Sequence, residues 1–187
     1  GDYTLATGTV TFVPGDTSES VVVTIINDTI DENDETYFVD LTNATNATIS
    51  DAQGLGTIVD NDTATISIAD ASASEGDNAG FVVSLTNPSA VDVTVTLTTT
   101  TGTAGTGDYT TTTTLVTIPA GDTSVTVNVP ATEDTTDESD ETFTATLSGP
   151  ANGTLGDDVA TGTILDDENA PVVSSADASA AEGDNAG

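Results

Sequence analysis

The sequence predicts an all-β chain built of tandem antiparallel β-sandwiches with Greek-key connections. Three observations predict it. Apolar and polar residues alternate at period two, turn residues separate these stretches at short intervals, and the chain repeats itself at a fixed spacing.

The strands can be justified in turn. Val91, Val93, Val95 and Leu97 alternate with Asp92, Thr94 and Thr96, which gives one wet and one dry face. Val125, Val127 and Val129 alternate with Thr126 and Asn128, while Phe81, Val83 and Leu85, and then Phe143, Ala145 and Leu147, form further apolar rows. One strand is expected to run from Ala64 to Glu75. Turn signals stand between the rows at Asn87-Pro88, Gly102 to Gly107, Pro119 to Asp122, Gly149-Pro150 and Asn152-Gly153. About seven short strands therefore fit into one repeat, the pattern of a Greek-key sandwich. Thr98–Thr101 and Thr110–Thr114 read as strand ends and loop. Threonine fills about one position in five, which favours strands. No stretch has a helical period, and the few aromatics predict a thin aliphatic core.

The repeat sets the domain organisation. Gly1-Asp2-Tyr3-Thr4 recurs as Gly107-Asp108-Tyr109-Thr110, Gly15-Asp16-Thr17 as Gly121-Asp122-Thr123, and Gly56-Thr57-Ile58 as Gly162-Thr163-Ile164, all 106 apart. Asp70 to Gly80 recurs as Asp177 to Gly187, now 107 apart. Residues 1–62 thus read as the C-terminal part of a first repeat and 63–168 as a complete one. Residues 169–187 read as a linker and the first strand of a third. Phe81–Thr106 occurs once. The expectation is a window on a longer tandem array, or one unit of a polymer. Residues 1–62 would then lack their leading strands, and a strand added from an adjacent chain, such as 169–187, is one way to cover the open edge.

Charge narrows the function. The 187 residues contain 32 acidic side chains and no Lys, Arg or His, for a net charge of −32. Nucleic acid, whose phosphates select basic residues, is excluded as a partner. Electrostatic binding to anionic membranes is excluded too, and no apolar run approaches the ~20 residues needed for direct membrane insertion. Without Cys there is no disulfide staple, and without Lys no Lys–Asn isopeptide crosslink. Solubility in salty water explains part of the charge. It does not explain the bunching of acids in Asp134-Thr-Thr-Asp137-Glu138-Ser-Asp140-Glu141, which nearly copies Asp28-Thr-Ile-Asp31-Glu32-Asn-Asp34-Glu35.

Carboxylates so crowded repel one another, by about 1 kcal/mol per pair at 4 Å in water and about 4 at an effective dielectric near 20. Their counter-charge must come from solution. A hard divalent cation with oxygen ligands is the natural candidate, and Ca²⁺ accepts about six to eight of them. The competing reading is a solvated acidic face without an ion. An EF-hand is a poorer one, since its 12-residue loop motif is missing. Catalysis would be confined to carboxylate-pair chemistry such as glycoside hydrolysis, and with no Trp to stack on sugar the chain reads as a non-enzyme. The five Asn-x-Thr sequons, among them Asn43-Ala-Thr45, are expected by chance in so Thr-rich a chain.

Position agrees with charge. If a first strand crosses the sandwich once, Glu75 ends opposite the entry point. The last strand exits at Asp166 on that side, and the acidic loop 133–141 joins two strands there. Three distant segments are expected to converge at the junction with the next repeat.

A series of motifs repeats in order: Glu75-Gly76-Asp77 closing a first strand, Gly107-Asp-Tyr-Thr110, Val116-Thr-Ile118 followed by Gly121-Asp-Thr123, Glu133-Asp134 with Glu138, Glu141 and Phe143, and Gly162-Thr-Ile164-Leu-Asp166-Asp167-Glu168. Together these resemble the Calx-beta family, over essentially the whole chain. That family occurs in sodium–calcium exchangers, in an integrin subunit and in large bacterial surface and secreted proteins. The resemblance implies an immunoglobulin-like sandwich that holds calcium at one end. Carried over residue by residue, it implies metal ligands Glu75, Asp108, Glu133, Asp134, Glu138, Glu141, Asp166, Asp167 and Glu168. In the partial first repeat it implies Asp2, Asp28, Glu32, Glu35, Asp60 and Asp62.

Asn27 and Asn61 depart from the pattern where the second repeat has Glu133 and Asp167, and the leading Glu has no counterpart, so that site should bind fewer ions or bind more weakly. Asp31, Asp34, Asp137 and Asp140 are expected to add only field, and Tyr3 and Tyr109 to pack. The function expected is a calcium-rigidified structural repeat of an extracellular or cell-surface fibre, stalk or adhesin, with calcium ions and neighbouring repeats as partners. The alternative is a regulatory calcium-sensor module of a larger membrane protein.

Overall fold

A computed structural model describes residues 1–183. The last four positions of the expected recurrence Asp177–Gly187 lie outside the described residues. Residues 1–62 contain β1 (Tyr3–Thr4), β2 (Thr24–Ile25), β3 (Glu35–Asp40) and β4 (Gln53–Ile58). These make two separate two-stranded sheets, β1-β2 and β3-β4. The complete repeat contains β5 (Thr65–Ile68), β6 (Ala71–Ser74), β7 (Asn78–Leu85), β8 (Val93–Thr101), β9 (Thr113–Ile118), β10 (Ser124–Pro130), β11 (Glu141–Ala151), β12 (Thr154–Leu155) and β13 (Val159–Leu165). They form two sheets, ordered β10-β7-β5-β12 and β6-β13-β11-β8-β9. No helix occurs among the described residues.

The period-two rows face inward as the pattern requires. Phe81, Val83, Val93, Val95, Leu97, Phe143, Ala145 and Leu147 are buried between the sheets. Two rows are less regular. Val91 precedes β8 and stays exposed. Val125 and Val127 are only half-buried because β10 is the outer strand of its sheet.

The expected single strand from Ala64 to Glu75 is two strands. β5 lies in the four-stranded sheet, pairing antiparallel with β7 and parallel with β12. After Ala69-Asp70 the chain crosses over, and β6 pairs in parallel with β13. One segment thereby covers an edge of each sheet, where unpaired backbone would otherwise lie open. The sandwich is antiparallel except at these two pairings.

An aromatic stack under the acidic end recurs in both repeats. Tyr109 is buried and lies flat on Phe143, with ring centroids 4.2 Å apart and planes 13° apart. Tyr3 stacks on Tyr37 at the positions 106 earlier, at 5.0 Å. The strand opposite each ring carries a glycine, Gly162 facing Phe143 and Gly56 facing Tyr37. A Cβ at either glycine would overlap the ring. Both tyrosines pack, as the sequence reading expects.

Residues 1–62 correspond to 107–168 and contain no counterpart of β5 to β8. With one wall missing from each half of the core, no residue there is buried, and Phe12, Val22, Phe38 and Leu55 are exposed. Their acidic loop touches the next repeat. Asp31 N–H donates to the Pro88 carbonyl (3.0 Å), and the Ala90 N–H donates to the Asp31 carbonyl (2.9 Å). Residues 169–183 belong to no strand and are exposed.

Gly162→Ala should destabilise the complete repeat by about 1–3 kcal/mol, the range for overpacking a core, because Phe143 is held between Tyr109 and Phe81. Urea unfolding checks this. An unchanged midpoint would mean the ring has room to move.

Candidate metal centre

Four loops meet at one end of the complete repeat. Glu75 directly follows β6, Asp108 lies between β8 and β9, Glu133, Asp134 and Glu138 lie between β10 and β11, and Asp166 to Glu168 follow β13. Glu141 is the first residue of β11. Parallel pairing of β6 with β13 sets the first and last of these side by side, and the Glu75 N–H donates to the Leu165 carbonyl (3.3 Å).

The acidic loop is tied to both. Asp134 N–H donates to Glu75 Oε2 (3.3 Å), and Glu138 N–H donates to Asp166 Oδ1 (2.9 Å). Asp134 Oδ1 accepts from Thr136 N–H (2.7 Å). Behind them, Ala131 N–H donates to the Asp77 carbonyl and Thr132 N–H to the Asp108 carbonyl, each 2.8 Å. Gly76 has a left-handed backbone (φ 74°). A Cβ there would come within 2.8 Å of Glu133 Oε2, so the glycine lets that carboxylate lie against the turn.

The structure thus brings the nine expected residues of this repeat to one end. Carboxylate oxygens of Glu75, Asp167 and Glu168 lie within 4.8 Å of one another, although Glu75 and Asp167 are far apart in sequence. Glu168 Oε2 is buried without a hydrogen-bond partner among the described residues.

The proton affinities report the crowding. Desolvation, then the charges of Asp134, Glu168 and Asp166, raises the Glu75 carboxyl above the usual carboxylate range, against the lowering hydrogen bond from the Asp134 amide. Glu141 is raised by desolvation, then by a hydrogen bond with Asp108, then by surrounding charges. Glu168 is raised by desolvation, then by Asp167, Asp166 and Glu133. Asp134 alone is lowered, through its hydrogen bonds from Thr136.

The first repeat builds a sparser version. Asp2, Asp28, Glu32, Glu35, Asp60 and Asp62 line one shallow cavity together with Asn27 and Asn61. Desolvation, then Asp2, Asp28 and Asp60, raises Glu32. Glu35 is raised first by its hydrogen bond with Asp2; the same pairing recurs 106 positions later, where the Asp108 hydrogen bond raises Glu141 second to desolvation.

Asp34 and Asp140 do more than add field. Asp34 Oδ1 accepts from Asp60 N–H (3.0 Å), and Asp140 Oδ1 accepts from Asp166 N–H (3.3 Å). Each clamps the exit of the last strand to its acidic loop. Asp31 works through its backbone, at the contact with Pro88 and Ala90. The occurrence of Asp at 34 and 140 alike was the sequence signal for the clamp. All the side-chain donors at both ends are oxygens, and no Lys, Arg or His exists to balance them. That set fits a hard divalent cation, not a soft or redox metal.

The raised carboxyls fix a pH dependence. Each binds protons more tightly folded than unfolded, so the stability they contribute is fully present below their unfolded pKa values and is lost as pH rises through the raised folded values. Asp134 opposes them alone. Protonation also brings no new positive repulsion, because basic side chains are absent. Metal-depleted protein should therefore melt at a higher temperature in mildly acidic buffer than at neutral pH. Thermal melts across this range check the sign, and a fall on acidification would contradict it.

The Calx-beta domain profile matches residues 1–72 and again 60–168. The apo-form Calx CBD1 domain is similar at 24% identity and a TM-score of 0.52, with 57% of this chain and all of that one covered. CBD12 from CALX1.2 is similar at 24% identity and 0.51, covering 56% of this chain and 46% of that one. The calcium binding domain CBD12 of CALX1.1 gives 23% and 0.52, covering 60% and 50%. The chain thus spans about half the length of the two CBD12 structures, and these likenesses show the fold. No curated protein matches the chain. With both stretches matched by one profile, and an all-β sandwich of the same fold, the chain belongs to the Calx-beta family.

Proposed function

We propose that the chain is a calcium-binding module. Glu75, Asp108, Glu133, Asp134, Glu138, Glu141, Asp166, Asp167 and Glu168 supply the site at the exit of the complete repeat. Asp2, Asp28, Glu32, Glu35, Asp60 and Asp62 supply a second, weaker one, with Asn27 and Asn61 offering amide oxygens. The division into 1–62, 63–168 and 169–187 is part of this reading.

The observation that carries it is the approach of Glu75, Asp167 and Glu168 to within 4.8 Å in a chain with no basic side chain. Carboxylates gathered that closely repel one another wherever solvent does not fully screen them, and a divalent ion between them reverses the sign. We read no catalytic role for the chain's other carboxylates.

Similarity to CBD12, described as a calcium binding domain, favours a calcium-responsive regulatory module of a larger membrane protein. The contact of Asp31 with Pro88 and Ala90 supports it, because the loop bearing Asp28 and Glu32 is bonded to the next repeat. The second reading is a calcium-rigidified repeat of an extracellular or cell-surface fibre, stalk or adhesin. The 106-residue repeat favours that one, since stacked domains make a rod. Affinity separates them. A micromolar or tighter midpoint by calorimetric titration supports the regulatory module, and one of about 0.1–1 mM supports the extracellular rod.

Ca²⁺ at a hundredfold excess over Kd should add about 2.7 kcal/mol per site, which raises Tm by roughly ten degrees or more. Glu75→Gln combined with Glu168→Gln should lose most of that rise. Equal melting curves with calcium and with chelator would overturn the calcium reading.

A further inference from the structure

β3 and β4 pair with Tyr37 opposite Gly56 and Phe38 opposite Leu55. Tyr37 turns to the core side, where it stacks on Tyr3, and successive side chains point to opposite faces of a strand. Phe38 and Leu55 therefore lie on the outward face, where they are 57% and 64% exposed. This holds whatever precedes Gly1. In the complete repeat β6 and β8 pair at the sides of β13 and β11, while Phe81 of the other sheet packs on Phe143, the counterpart of Tyr37. Strands placed on that plan would lie beside β3 and β4 or behind Tyr37, and the outward face would stay bare. At the same register 106 positions later, Thr144 stands opposite Thr161. A cross-strand apolar pair adds to sheet stability, but the sister repeat closes the same pairing with hydroxyls.

The apolar pair has an anionic margin. Asp40 is two residues beyond Phe38 on the same face, about 6.8 Å along the strand. Its Oδ1 accepts from the side-chain amide of Gln53, the residue opposite (2.9 Å). Asp51, just before β4, accepts at Oδ1 from the Gln53 N–H (3.2 Å). Neither carboxylate meets a cationic side chain, since the chain contains none. Each keeps acceptor capacity that an outside cation can use.

We infer that the Phe38–Leu55 face docks a segment of another protein in which an apolar side chain is flanked by Lys or Arg. The apolar side chain packs on Leu55 and Phe38. The cation lies over the Phe38 ring and against the Asp40 carboxylate. Charge selects this occupant. A second copy of the chain brings no cation and 32 further acids, so its net charge opposes contact. An anionic lipid surface is repelled for the same reason. Size agrees. Two strands of six residues present about 20 Å by 10 Å, far below the roughly 800 Å² that each partner of a stable dimer buries. That area suits one short segment. The calcium reading plays no part in this inference.

A synthetic peptide in which leucine alternates with arginine is the probe. It is titrated into the isotope-labelled chain and followed by NMR at about 0.15 M salt, where the Debye length of about 8 Å screens diffuse attraction to the net charge. Amides of β3 and β4 should shift. A peptide with glutamate in place of arginine should bind at least about tenfold more weakly, as should the arginine peptide to a Phe38→Thr, Leu55→Thr double variant. That variant gives the face the residues of the complete repeat, so the register is one the sandwich already uses. The reciprocal triple variant, Thr144→Phe, Thr146→Asp and Thr161→Leu, should add a second binding site on β11 and β13. Equal binding of the two peptides, or full binding to the double variant, overturns the inference. So does a wild-type chain that self-associates in sedimentation equilibrium while the double variant stays monomeric, since the face would then serve a second copy.

Discussion

Uncompensated negative charge is the constraint on which the rest of this structure turns. With 32 acidic side chains and no basic one, each carboxylate must find solvent, a backbone amide or an ion from solution. A sandwich interior offers none of these, so the core is apolar and the acids are driven to strand ends and loops. At one end the topology gathers them, because the first and last strands of the repeat lie side by side. The fold therefore concentrates the charge that its own side chains cannot neutralise.

The crossing at Ala69-Asp70 links fold to site. Were Ala64–Glu75 one strand in the four-stranded sheet, Glu75 would end in the sheet opposite β13. By changing sheets the segment becomes the neighbour of β13, and its Glu75 comes beside Asp167 and Glu168. Asp70 takes part directly, since its carboxylate accepts from Thr161 N–H on β13 (2.7 Å). The device that covers two sheet edges also assembles the acidic end.

Much of this was legible in the sequence, because alternation and repetition are properties of sequence itself. The rows of Phe81, Val93 and Phe143 face inward because a strand of period two has only two faces. The approach of Glu75, the 133–141 loop and Asp166 followed from counting sandwich crossings. What was not legible depends on neighbours distant in sequence. The crossing at Ala69-Asp70 has no glycine or proline to announce it. The half-burial of Val125 and Val127 follows from an outer position in the sheet that no local pattern encodes. Asp34 and Asp140 looked like surplus charge because the amides they hold, at Asp60 and Asp166, are 26 residues away.

Those amides sort the acids into two classes. In a chain without cationic side chains, the backbone N–H is the commonest positive pole, and a charge-assisted bond to it is stronger than a neutral one. The described residues that hold one are nearly all aspartates: Asp28, Asp34, Asp51, Asp70, Asp92, Asp108, Asp134, Asp140 and Asp166, with Glu75 as the exception. A short side chain reaches nearby backbone and fixes a loop. Glutamate, one methylene longer, projects past that shell; Glu141 and Glu168 are left raised in pKa by desolvation and then by other acids, and Glu35 by Asp2 and then by desolvation. The aspartates thus frame the loops, and the raised glutamates present oxygens left to solvent, a proton or a metal ion. On the calcium reading, proton and ion compete for the same atoms, and the stability of the acidic end would then depend on what the solution supplies.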